Sequence, residues 1–140
     1  MENQQNKPLT LSDFNKASPH TYTINKEVVI FNAPTESQSI TIKVPNDDLQ
    51  EHLPKINNYL SWLTTCSSTL IQAYNKDPYY DDVVADDSWF QNIQVYKATI
   101  MLNQDGSISA IISGGDDQVL DHILDVELKN KEVTYIGYDG

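Results

Sequence analysis

The sequence predicts an α+β protein: an antiparallel sheet of about six strands with one long helix, about residues 54–75, packed on a face. Three observations predict it. Residues 39–44 alternate with the period of a half-buried strand, with Ile40, Ile42 and Val44 on one side and Thr41 and Lys43 on the other. Residues 54–75 switch to helical spacing, with Ile56, Tyr59, Leu60, Leu63, Leu70 and Tyr74 on one stripe. After Trp89 the chain returns to β-rich runs divided by turn signals, Asp105-Gly106 foremost.

Taken in order, residues 1–20 are polar, contain Pro8 and Pro19, and read as a poorly ordered lead-in with one short turn at Ser12-Asp13-Phe14. Residues 21–24 and 27–31 are β-branched and aromatic, residues 32–37 form a loop, and with residues 39–44 they read as an antiparallel meander. Pro45-Asn46-Asp47-Asp48 ends that block. Proline is tolerated only near a helix start, so Pro54 places the beginning of the helix. A second stripe, Trp62, Cys66, Thr69 and Ala73, flanks the first. Asp77-Pro78 ends the helix. In the last third, strands at 93–102 and 107–113 flank the Asp105-Gly106 hairpin, and even-numbered positions such as Ile100, Leu102, Ile108, Ala110 and Ile112 face inward. Gly114-Gly115-Asp116-Asp117 is the next turn. Residues 120–128 place His122, Leu124, Val126 and Leu128 on one side, and residues 133–138 close the sheet. The whole chain, 1–140, reads as a single domain.

Charge narrows the function. The net charge is −11, and it is unevenly placed: residues 1–76 hold seven acids and six lysines, residues 77–140 thirteen acids and three lysines. There is no arginine. Nucleic-acid and anionic-membrane binders carry basic patches, so both partner classes are excluded, and the field favours a basic protein. The lone Cys66 allows no internal disulfide, residues 1–16 have no apolar run of the signal-peptide kind, and no membrane-spanning stretch occurs. Together these lead to the expectation of a cytoplasmic protein.

Catalytic furniture is absent from the motifs. Asn103-Gln104-Asp105-Gly106-Ser107 lacks the ligand series of a calcium loop, and strand alternation separates His122 from Asp121 and Asp125, so no metal or other cofactor is expected. Cys66 reads as mid-helix beside Ser67 and Ser68, with no helix N-terminus or adjacent cation to lower its pKa. No phosphate-cradling or dinucleotide fingerprint is present. The reading is therefore a binding protein, not an enzyme. Its candidate partner-binding residues are Tyr79, Tyr80, Asp81, Asp82, Asp86, Asp87 and Trp89, with Asp116 and Asp117 of the glycine turn. Aromatic side chains supply contact area at low entropic cost, and acids steer and pair with Lys or Arg. Two other readings stand beside it. One is an adaptor using the helix stripe Trp62/Cys66/Ala73, with a homo-oligomer left open. The other is an enzyme of unrecognised type built around His122.

A resemblance enters over about residues 89–138. Trp89 leads into the strand 93–102, followed by Asp105-Gly106-Ser107-Ile108, Gly114-Gly115-Asp116-Asp117, Asp121-His122-Ile123-Leu124-Asp125-Val126 and a closing strand with Gly137. This pattern resembles the small acidic α+β immunity proteins of bacterial polymorphic-toxin and type VI secretion loci. In those proteins a glycine often precedes the histidine, where this chain has Asp121. The resemblance implies a protein of interbacterial competition that binds a cognate toxin domain and blocks its active site.

Overall fold

The computed structural model describes residues 6–76 and 84–139. Among these residues, after one 3-10 turn at Leu11–Asp13, nine strands and three α-helices follow in the order β1 (Phe14–Ser18), β2 (Thr21–Ile24), β3 (Val28–Ile30), β4 (Ala33–Thr35), β5 (Ile40–Lys43), α1 (Leu49–Leu63), α2 (Ser67–Lys76), α3 (Asp87–Gln91), β6 (Gln94–Leu102), β7 (Ile108–Gly115), β8 (Ile123–Lys129) and β9 (Glu132–Asp139). The class is α+β, with a seven-stranded sheet in the order β1-β2-β5-β6-β7-β8-β9 and a separate β3–β4 pair.

The sheet is mixed rather than antiparallel. β5 and β6 run parallel, with Ile42 beside Ile100. A parallel neighbour requires a crossover, and residues 44–93, which carry all three helices, supply it. The expected meander of residues 21–44 is divided: β2 pairs directly with β5, while β3 turns back on β4 through Phe31 at φ 60°. The expected lead-in is also corrected. Phe14–Ser18 forms the edge strand β1 against β2, Leu9 is buried, and the Asn6 side chain both accepts from and donates to the Val29 backbone.

The single long helix expected at 54–75 is two helices. α1 begins at Leu49, where Asp48 accepts from the Glu51 amide. Pro54 therefore lies inside α1 and marks no start. The break at 64–66 has a local cause. The Thr64 and Thr65 hydroxyls donate to the Ser61 and Trp62 carbonyls at 2.7 and 3.1 Å, and the backbone amides of the same two threonines close onto those same carbonyls. Side-chain bonding of this kind competes with the helix ladder. Cys66, buried, then starts α2 as its carbonyl accepts from the Leu70 amide.

The hairpin expectation holds. β6 and β7 are joined at residues 103–107, Gly106 sits at φ 89°, and the Asp105 carboxylate accepts from both the amide and the hydroxyl of Ser107. Ile100, Leu102, Ile108, Ala110 and Ile112 are all buried, as the alternation predicts. Gly114 and Gly115 are no turn: they extend β7, paired with Val95 and Gln94. A Cβ at Gly114 would fall 1.8 Å from the Gln94 carbonyl oxygen, so the glycine is there for backbone approach. The turn follows at residues 116–122.

One continuous core joins the inward side of the sheet to Ile56, Tyr59, Leu60 and Leu63 of α1 and to Leu70 and Tyr74 of α2. The helices thus occupy one face. No helix among the described residues is long and apolar enough to cross a membrane.

Candidate interaction surface

Strand direction brings the start of β6, the end of β7, the start of β8 and the end of β9 to one end of the sheet, where Gln94 pairs with Gly115 and Ile123 with Asp139. α3, immediately before β6, and the loop 116–122, immediately after β7, lie at this end. Two hydrogen bonds tie them together: Trp89 Nε1 donates to Asp116 at 2.8 Å, and Gln118 Nε2 donates to the Val84 carbonyl at 2.8 Å. Asn75, in the last turn of α2, both donates to and accepts from the Ala85 backbone.

The candidate residues separate into two groups. Trp89 is 1% exposed and Asp116 8% exposed, so both are withdrawn from the surface, contrary to their expected role as contact residues. The reason is a shared need. A buried indole N–H requires an acceptor, and a buried carboxylate requires several donors. One Asp116 oxygen accepts from Trp89 Nε1 and from the Tyr138 hydroxyl; the other accepts from the amides of Gln118 and Val119, each at 3.0 Å. Tyr138 in turn contacts the Tyr74 hydroxyl at 2.7 Å, and the Tyr74 ring packs on Trp89 with centroids 4.8 Å apart. Desolvation by burial raises the pKa of Tyr74 and of Tyr138 above the ordinary phenol value, reinforced at Tyr138 by its hydrogen bond to Asp116. This network fastens α2, α3, the 116–122 loop and β9 into one block.

Asp86, Asp87 and Asp117 remain exposed. Asp86 has a structural task as well: as the N-cap of α3 it accepts from the Trp89 amide at 3.0 Å. Asp121 and Asp139, not among the candidates, are exposed at the same end. Tyr79, Tyr80, Asp81 and Asp82 lie outside the described residues. Asp125 accepts from the Ser113 hydroxyl at 2.8 Å on the helix-free side of the sheet. His122 is half-buried just ahead of β8, and its amide reaches the Val119 carbonyl at 3.5 Å.

Charge compensation differs between the two halves. The two lysine–carboxylate ion pairs among the described residues, Lys16–Asp47 and Lys26–Asp13, and the two histidine–carboxylate contacts, His20–Asp47 and His52–Glu51, all lie in residues 13–52. Asp86, Asp87, Asp117, Asp121 and Asp139 take part in none of them.

The rival surface on the helices is mostly consumed by packing. Cys66 is buried, with burial pushing its thiol up to about 12, and Trp62 is half-buried against the Tyr59 ring at 5.5 Å. No family model matches this chain, and neither a curated protein nor a solved structure does.

Proposed function

We propose that this chain is an immunity-type protein that neutralises a cognate, basic bacterial toxin domain by binding it and occluding its active site. The observation that carries the reading is the one-sided charge: the N-terminal acids that form ion pairs are answered within the chain, while five exposed aspartates at one end of the sheet are not. Uncompensated charge of one sign accelerates encounter with a partner of the other sign and costs the isolated protein self-repulsion. The buried Trp89–Asp116–Tyr138 network supports the same reading, because it holds the acid-bearing segments in place before binding, which lowers the entropic cost of association. A cytoplasmic site of action and a toxin with a basic cleft, such as a nuclease, follow from the same reading.

The test uses the C-terminal domain of the protein encoded immediately upstream of this chain. The expected result is a stoichiometric complex and loss of the toxin domain's activity. Asp87, Asp117 and Asp121 changed together to Lys should slow association most at low salt. Glu27, Glu36 and Glu51 changed to Lys raise the net charge equally and should slow it less. Absence of a complex with wild-type protein overturns the reading.

A further inference from the structure

The sheet has a second face that no described helix covers, and its composition is unusual for a face left in water. Of seven large apolar side chains that are exposed among the described residues, four stand here: Tyr96, Ile111, Ile123 and Tyr135, between 43% and 55% exposed. The strand registers place them. Ile111 on β7 lies beside Glu127 on β8, which lies beside Tyr135 on β9. Ile123 lies beside Asp139, and Tyr96 is the extra residue where the β6–β7 register shifts between Val95 and Lys97.

Both tyrosines are laid down over glycines. A Cβ at Gly115 would fall 2.6 Å from the Tyr96 hydroxyl, and a Cβ at Gly137 would fall 2.6 Å from the Tyr135 hydroxyl. Each ring therefore rests along the sheet in the space a side chain would fill, instead of standing free in solvent. Between them the register runs Ser113, Asp125, Gly137 across β7, β8 and β9. Asp125 is thus about 5 Å, one strand spacing, from the glycine under Tyr135. The Ser113 hydroxyl donates to one Asp125 oxygen, Oδ1. Fixed aromatic faces around a carboxylate make a receptor for a cationic side chain, which stacks on the ring while pairing with the acid.

Resting on the toxin-inhibitor reading above, we infer that this helix-free face of β6–β9 is the docking surface, and that its occupant is a protein surface presenting a Lys or Arg side chain to Asp125 and Tyr135, bordered by apolar groups that cover Tyr96, Ile111 and Ile123. Charge complementarity selects the occupant. Asp125, Glu127 and Asp139 on the face, and Asp117 and Asp121 at its acidic end, outnumber Lys97 and Lys129 on the same strands. That excess repels a second copy of this chain and attracts a basic partner. Pre-placed tyrosines with apolar neighbours are the composition of binding hot spots, and the acids bring the partner to them.

The test has two arms. In the first, the upstream-encoded toxin domain is titrated with wild type, Tyr135→Ser, Ile111→Lys, Asp125→Lys and Gly137→Ala, with circular dichroism to confirm folding. Each of the first three variants is expected to bind about thirty-fold more weakly or worse. Gly137→Ala removes no contact residue but displaces the Tyr135 ring, and should weaken binding while the fold stays stable. In the second arm, amide and ring resonances are followed as a tri-arginine peptide is added. The largest shifts are expected at Tyr96, Asp125 and Tyr135. Shifts centred on α3 and the 116–122 loop, or no shifts, overturn the inference, as does a dimer that Ile111→Lys abolishes. If the toxin domain fails to bind wild type, the inhibitor reading falls, and the peptide arm still decides the face. If it binds all variants equally, the face is wrong and the inhibitor reading stands.

Discussion

Asp116→Ala is the change that best measures how the acid-bearing end is held. Four donors converge on this carboxylate: Trp89 Nε1, the Tyr138 hydroxyl and the amides of Gln118 and Val119. Truncation strands them unequally. Gln118 is half-exposed, so its amide can turn to water, and the Tyr138 hydroxyl keeps the Tyr74 hydroxyl within reach. Trp89 Nε1 and the Val119 amide have no such recourse, because both residues are buried. A buried donor left unpaired costs about 1–3 kcal/mol, so the total should come to about 3–4 kcal/mol. At about 3 °C per kcal/mol for a chain of this length, the midpoint should fall by about 10 °C. Asp116→Asn keeps one accepting oxygen and should cost about half as much. The assay is urea and thermal unfolding by far-UV circular dichroism, with Asp117→Ala as the exposed neighbour expected within about 0.5 kcal/mol. A cycle pairing Asp116→Asn with Trp89→Phe should show a coupling of about 1 kcal/mol or more. Equal effects of Asp116→Ala and Asp117→Ala would refute the reasoning, since the two acids would then be alike in their surroundings.

Three further outcomes are expected. Gly114→Ala should cost more than 2 kcal/mol in urea unfolding, because its Cβ meets the Gln94 backbone and one strand must move; a neutral effect would show that β6 and β7 are not in the stated register. Gly106→Val should be costly because φ is 89°, whereas Asp105→Ala, losing only exposed bonds to Ser107, should cost under about 1 kcal/mol. Stability should decline as pH rises from 9 toward 12: the Cys66 thiol, ordinarily at 9.0, is pushed up to about 12 by burial, so the unfolded chain releases its proton first and is stabilised relative to the folded one across that window. Cys66→Ala should make the slope of stability between pH 9 and 12 shallower, the buried phenols of Tyr59, Tyr74 and Tyr138 keeping part of it, and native Cys66 should resist thiol reagents at pH 8 until urea unfolds the protein.

Burial divides residues that the sequence presents as equivalent. Asp116, Asp117 and Asp86, Asp87 look alike in sequence, each an Asp-Asp pair. Only folding separates Asp116, which receives four donors beneath Trp89, from Asp117, which faces water. A single aromatic or aliphatic residue in a strand, such as Tyr96, Tyr135 or Ile111, reads as core from sequence although all three are exposed. The bare face exists because the described helices occupy the other side of the sheet.

Much was determined locally and therefore legible. The alternation of residues 108–112, the Asp105-Gly106 hairpin and the helical stripe of Ile56, Tyr59, Leu60 and Leu63 are properties of neighbours a few residues apart, and the structure keeps each of them. The acidity of residues 77–140 is a property of composition alone. What only the tertiary structure decided involves distant partners. β1 exists because Phe14–Ser18 finds β2, and β5 lies parallel to β6 because residues 44–93 carry the chain across to β6. The break at Thr64–Cys66 leaves α1 and α2 as separate bodies whose apolar stripes meet the sheet independently. Pairing and packing between residues far apart in sequence depend on which surfaces bury the most apolar area together, and no window of adjacent residues contains that sum.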